Sequence, residues 1–141
     1  MARIKLTLPD SFSFLTTIPI RITDINYGGH VGNDTILSLL HEARLQYLQS
    51  FGYTELNMEG IGMIMADVAI EFKSEVFYGD VVTAYVKAAE FTRVGFDLYY
   101  KLLKQDGTTV VAAAKTAMVC FDYEKKKVVS VPDEVVKRMG N

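Results

Sequence analysis

A single cysteine, Cys120, and no tryptophan are found in the sequence. One thiol closes no disulfide and builds no multi-cysteine zinc site within a chain, so the fold must rest on its apolar core, and a reducing compartment suits it. Cys120 lies in an apolar strand-like stretch and is read as a small core hydrophobe. Charge of one sign is scarce as well: 15 Lys and Arg face 17 Asp and Glu, for a formal net charge of −2. No segment gathers cations into a phosphate-tracking stripe, which argues against nucleic acid as a partner. The longest basic run, Lys125-Lys126-Lys127, has surface-turn chemistry. No stretch approaches about 18 uncharged apolar residues, and the first ten residues lack a long apolar run. No membrane insertion is expected, and a cytoplasmic location is. Two histidines and scattered acids without H-x-x-x-H spacing give no metal site, and no cofactor is expected. A Gly-x-Ser-x-Gly elbow is missing too, which excludes a serine hydrolase of the α/β type.

Half of the 141 residues are hydrophobic, enough to bury one core, and residues 1–141 are read as one domain. Ile18, Ile20 and Ile22 alternate with Pro19, Arg21 and Thr23, the period of a strand with one buried face. A glycine-rich loop follows, from Asp24 to Gly32. Asn33 or Asp34 can cap the next segment, a helix running to about Phe51 with Gly52 as its stop. Its apolar residues, among them Ile36, Leu40, Ala43, Tyr47 and Leu48, cover more than one stripe, so it should be buried on several sides. Four strand-like runs come next: Gly62 to Lys73, Val81 to Thr92, Phe96 to Lys104 and Thr108 to Tyr123. Asp106-Gly107 is the strongest hairpin signal. A short helix from Asp133 to Met139 closes the chain. One strand, a long helix and four strands predict an α+β architecture, a five-stranded antiparallel sheet wrapped around one central helix.

A helix that starts straight after a glycine turn offers free N–H groups and the positive end of its dipole. Donors of that kind stabilise the oxyanion formed when a carbonyl is attacked. The amides around Val31, Gly32, Asn33 and Asp34 are the candidates.

The segment Asp24-Ile25-Asn26-Tyr27-Gly28-Gly29-His30-Val31-Gly32-Asn33 resembles the D-x-D-x-x-G-H-V-N-N signature of 4-hydroxybenzoyl-CoA thioesterase-like proteins of the hotdog fold. Glu42-Ala43-Arg44 with Tyr47-Leu48 resembles their helix motif E-A-R-x-x-Y-L. Phe72 through Gly79-Asp80 is similar to aromatic-x-x-P-x-x-x-G-D, and Arg93-Val94-Gly95 also matches. The resemblance spans about residues 16–132. It implies a hotdog fold and hydrolysis of an acyl- or aryl-CoA thioester, with acyl-carrier protein as another possible carrier. A hotdog module that binds such thioesters without hydrolysing them is the alternative reading. The second Asp of D-x-D is that family's main catalytic carboxylate, and here the position holds Asn26, whose amide has no basic lone pair. Asn26 can orient a water or hydrogen-bond the thioester. Glu42, on the helix, and Asp24 are the carboxylates able to substitute, although Glu42 can instead pair with Arg44, His41 or a neighbouring subunit and Asp24 can serve the loop. His30 either contacts the acyl carbonyl or a water, or pins the loop.

Met58, Met63 and Met65 suit either an adaptable acyl pocket or plain core. Arg93, Lys73, Lys101 and Lys115 are the cations available for CoA phosphates. A sheet that wraps one helix leaves strand edges uncovered, so a homodimer is the minimum expected and a homotetramer the larger alternative.

Overall fold

The computed structural model describes residues 2–140. In chain order its main elements are β1 (Phe14–Pro19), α1 (Asn33–Gln49), β2 (Gly62–Phe72), β3 (Val81–Ala89), β4 (Gly95–Lys104), β5 (Val110–Asp122), β6 (Lys127–Val128) and α2 (Asp133–Met139). A single 3-10 turn, Ile22–Asp24, follows β1. The strands form one antiparallel sheet in the order β1-β3-β4-β5-β2, with the two-residue β6 paired to β5. The architecture is thus α+β, with one long helix packed on the sheet, as the residue pattern and the resemblance predict.

Alternation builds the sheet. Val82, Ala84, Val86 and Ala88 of β3 are buried while their neighbours in the strand are partly exposed, and Leu98, Tyr100 and Leu102 of β4 follow the same period. Against this face α1 buries Ile36, Leu39, Leu40, Ala43, Tyr47 and Leu48. Removing a leucine side chain from water contributes about 2 kcal/mol, so this stripe is the main reason α1 lies on the sheet. The helix ends as its residues dictate: Gly52 sits at φ 79°, its N–H donates to Gln49 O at 2.8 Å, and Tyr53 N–H donates to Leu48 O at 3.0 Å. Those two bonds form a Schellman stop that favours glycine.

Three local expectations are corrected. Ile22 is 68% exposed in the 3-10 turn, so the first strand is Phe14–Pro19 and only Ile18 and Ile20 reach the core. The N-cap of α1 is Gly32, one residue before the polar pair, and its carbonyl accepts from Thr35 N–H and Ile36 N–H, both at 3.0 Å. The strand β6 is an addition too short for periodicity to reveal.

Two charged residues, Asp24 and Arg44, are buried among the described residues, and Arg44 lies within the helix packing. Arg44 is 6% exposed and donates from Nε to Glu55 Oε2 at 2.9 Å and from Nη1 to the Tyr100 hydroxyl at 3.2 Å. Tyr100 shares a 2.7 Å bond with the Thr116 hydroxyl, and Glu55 Oε1 is 2.7 Å from His41 Nε2. Burial alone pushes the Glu55 carboxyl up, but the bonds and charges of His41 and Arg44 outweigh it and hold Glu55 below the ordinary carboxylate value. The helix is thereby pinned to β4 and β5 by a satisfied polar chain. Cys120 is fully buried, and burial pushes its thiol up to about 11, which leaves it an inert core group.

Candidate functional site

The glycine-rich loop folds as a tight finger closed by the Ile25–Val31 bridge. Asn26 shapes its tip: Asn26 N–H donates to His30 O at 3.0 Å, Gly29 N–H to Asn26 O at 3.1 Å, and Gly28 N–H to the Asn26 side-chain oxygen at 2.8 Å. That last bond is an Asx turn, which a short side-chain oxygen makes readily. Tyr27 stands fully exposed at the tip. At the base of the finger, Val31 N–H donates to Val76 O at 2.8 Å, which fastens the loop to the segment beyond β2. Val31 therefore leaves the set of expected oxyanion donors, because its N–H is committed.

The remaining amides behave differently. Helix α1 has no side-chain cap, and among the described residues the N–H groups of Gly32, Asn33 and Asp34 have no protein acceptor. They are the orphan donors of a helix start, held where the dipole is positive. His30 Nδ1 lies 3.0 Å from Val31 O. A carbonyl can only accept, so Nδ1 carries a proton in this arrangement, and in the neutral form of the ring the lone pair is then on Nε2.

Of these residues His30 and Asn33 line a cleft of about 260 Å³, together with Val31, Ile36, Phe72, Lys73, Ser74, Glu75 and Val76. A second cleft of about 300 Å³ lies on another face of α1, where Asp24 and Glu42 meet Arg21, Ser38 and Gln46. The candidate residues are thus split. Glu42 is on the second cleft and accepts from Gln46 Nε2 at 2.7 Å, rather than pairing with Arg44 or His41. Asp24 is buried there, accepts from Arg21 N–H at 2.8 Å and lies 3.6 Å from the Arg21 guanidinium, an anchor for the turn.

Of the expected substrate contacts, Lys73 borders the first cleft, 3.4 Å from Glu71. Arg93 lines neither cleft and donates to Ser130 Oγ at 3.4 Å. Lys101 lies over the Phe12 and Tyr85 rings at 5.4 and 5.2 Å, and Lys115 is bridged to Asp67 at 3.0 Å and Asp97 at 3.8 Å. Met58 and Met63 are core residues, whereas Met65 is 40% exposed on β2. Sequence reasoning passed over Glu75. The signal was present in the motif itself, since Glu75 occupies the position where aromatic-x-x-P-x-x-x-G-D has its proline. Among the described residues no cluster of three or more His, Cys, Asp or Glu is placed to hold a metal, and no helix is long and apolar enough to cross a membrane.

The fold is the hotdog fold of its solved neighbours, and the thioesterase-like superfamily model matches residues 20–139. The chain belongs to that superfamily. It is similar to the acyl-CoA thioesterase YbgC of Haemophilus influenzae, at 24% identity over 133 residues that cover 91% of this chain and 93% of the relative. A solved hypothetical protein from Aquifex aeolicus superposes with a TM-score of 0.80 at 26% identity, covering 89% of this chain and 98% of that one. The structure of a 1,4-dihydroxy-2-naphthoyl-CoA thioesterase from Synechocystis shares the fold, with a TM-score of 0.82 at 18% identity over 91% of this chain and 96% of its own.

Proposed function

We propose that this chain hydrolyses acyl- or aryl-CoA thioesters. The observation that carries the reading is the row of uncommitted amides at the start of α1, where Asn33 lines the first cleft. With the carbonyl oxygen received by the Gly32 and Asn33 N–H groups, the negative charge formed on attack falls where the helix dipole is favourable. Asn26 acts by shaping the finger, and His30 Nε2 accepts from a bound water. A larger cleft of about 790 Å³, lined by Ala2, Arg3, Ile4, Ile70 and Glu71, shares Phe72 and Lys73 with the first. The two clefts meet at Phe72 and Lys73, and Arg3 and Lys73 supply the cations a nucleotide phosphate needs.

The same reading includes a homodimer. Edge strand β2 is 11 residues long, paired on one side by β5, and exposes Ile64, Met65, Val68 and Phe72; long apolar edges of this kind favour pairing with a second chain. Phe72 ends that strand and borders both clefts, so a partner on β2 would lie next to the groove.

Thiol release from a panel of short-chain, long-chain and aryl CoA thioesters tests the proposal, with an acylated carrier protein assayed beside them. Turnover of at least one CoA thioester well above the uncatalysed rate is the expected result. Tight binding of acyl-CoA without turnover, or turnover of the acylated carrier protein alone, contradicts it.

A further inference from the structure

We infer that Glu75 is the general base of this thioesterase, supplying the carboxylate that the loop lacks at Asn26; the inference rests on the acyl-CoA hydrolase reading above. Three observations converge on it. First, Asn26 is an amide and its side-chain oxygen is occupied by Gly28 N–H, so the loop presents no carboxylate base at that position. Second, the bond from Val31 N–H to Val76 O fastens the residue next to Glu75 against the residue next to His30, and Glu75, His30 and Asn33 line one cleft. Third, Glu75 has no hydrogen-bond or ion-pair partner among the described residues, in contrast to Glu42, which bonds Gln46, and Asp24, which is tied to Arg21. A surface carboxylate left unpartnered beside free amide donors is available for chemistry in a way the other two are not. Lys73 is the other charged side chain lining the cleft, and its recorded ion pair is with Glu71.

The step balances with water as the co-reactant. A water held between the Glu75 carboxylate and His30 Nε2 attacks the thioester carbonyl carbon, and Glu75 takes one of its protons as the C–O bond forms. The oxygen of the tetrahedral intermediate is held by the Gly32 and Asn33 amides. Collapse breaks the C–S bond, and the thiolate leaves with the proton from Glu75. The products are one carboxylic acid and one thiol, with Glu75 returned to its starting state.

The experiment compares the wild type, Glu75→Gln, Glu75→Asp and Glu42→Gln by thiol release from the best CoA thioester, with melting temperatures measured in parallel. Because Glu75 is exposed, its Gln variant is expected to melt with the wild type. The expected result is a loss of about 10²-fold or more in kcat for Glu75→Gln, with KM changed by less than about threefold. Glu75→Asp recovers part of that loss, and the acid limb of the kcat/KM profile seen in the wild type is missing from the Gln variant. A wild type that turns over while Glu75→Gln stays within about threefold of it overturns the role of Glu75 and leaves the thioesterase reading intact. A loss confined to Glu42→Gln overturns it in favour of the second cleft. A wild type that releases no thiol from any substrate overturns the hydrolase reading and this inference with it.

Discussion

Two clefts of similar size lie on different faces of α1, and each contains carboxylates. The cleft with Asp24 and Glu42 is closed in on itself: Glu42 accepts from Gln46, Gln46 is also bonded to the Thr16 hydroxyl, and Asp24 holds Arg21. The cleft with His30 and Glu75 is the reverse, with an orphan amide at Asn33 and, among the described residues, a carboxylate without a partner. The difference teaches that a carboxylate's availability is a matter of its neighbours. Unmade hydrogen bonds at one location mark where a substrate can make them, while a satisfied network marks structure.

The comparison depends on α1 staying where it is, and Arg44 pins it. Arg44→Met should therefore have the largest effect, destabilising the fold by about 2 kcal/mol and weakening both clefts together. The full cost of breaking a buried pair is discounted here because the Glu55 side chain is one-quarter exposed to water. Urea denaturation measures it. The same pair sets an acid limb. Glu55 is held below its ordinary value of 4.5, so the folded state binds that proton less readily than the unfolded chain. The stability it contributes is present above about pH 4.5 and is lost as pH falls through the folded value. The wild type should lose stability more steeply than Arg44→Met below that pH.

Gly32→Ala probes the first cleft alone. A Cβ at Gly32 would come within 2.6 Å of Asp34 Oδ1 and 3.2 Å of the Asn26 amide nitrogen, so Asp34 has to swing and the donors at the helix start shift with it. Turnover should fall about tenfold, the scale of a displaced oxyanion donor that is not deleted. The backbone at Gly32 has φ −74°, which alanine adopts freely, so the melting temperature should change little. Equal losses of stability and turnover would blur the distinction between the clefts.

The smallest effect belongs to Asn26→Asp. An aspartate can keep the Asx turn by accepting from Gly28 N–H, and it restores the acid that the resembled signature carries. With Glu75 as base, a second carboxylate near the same cleft brings like-charge repulsion, so turnover should stay at or below that of the wild type. A rise of tenfold or more would return the base to the loop.

How far the residues foretold this is uneven, and the unevenness is physical. Periodicity placed β3, β4 and α1 within a few residues, since a buried face imposes its period on every turn or pleat. Asp106-Gly107 gave its hairpin, with the Asp106 carboxylate accepting from Thr108 N–H and Thr109 N–H at 2.9 and 2.8 Å, because that chemistry is completed within four residues. Ile22 misled, because a period of 2 continues on paper after Asp24 has bent the backbone into a turn. The helix cap fell one residue early, because a glycine carbonyl serves where a polar side chain is expected.

The amino-acid order alone, through short-range rules of period, turn and cap, was enough for the α+β hotdog architecture, the glycine finger, the donor-rich start of α1 and the buried cysteine. Which carboxylate shares a cleft with that helix start was decided elsewhere. It depends on one backbone bond, Val31 N–H to Val76 O, between segments that α1 and β2 separate in the chain. Pairing over such a distance follows from the packing of the whole sheet; the local motif marks Glu75 as a departure and does not say which cleft it enters.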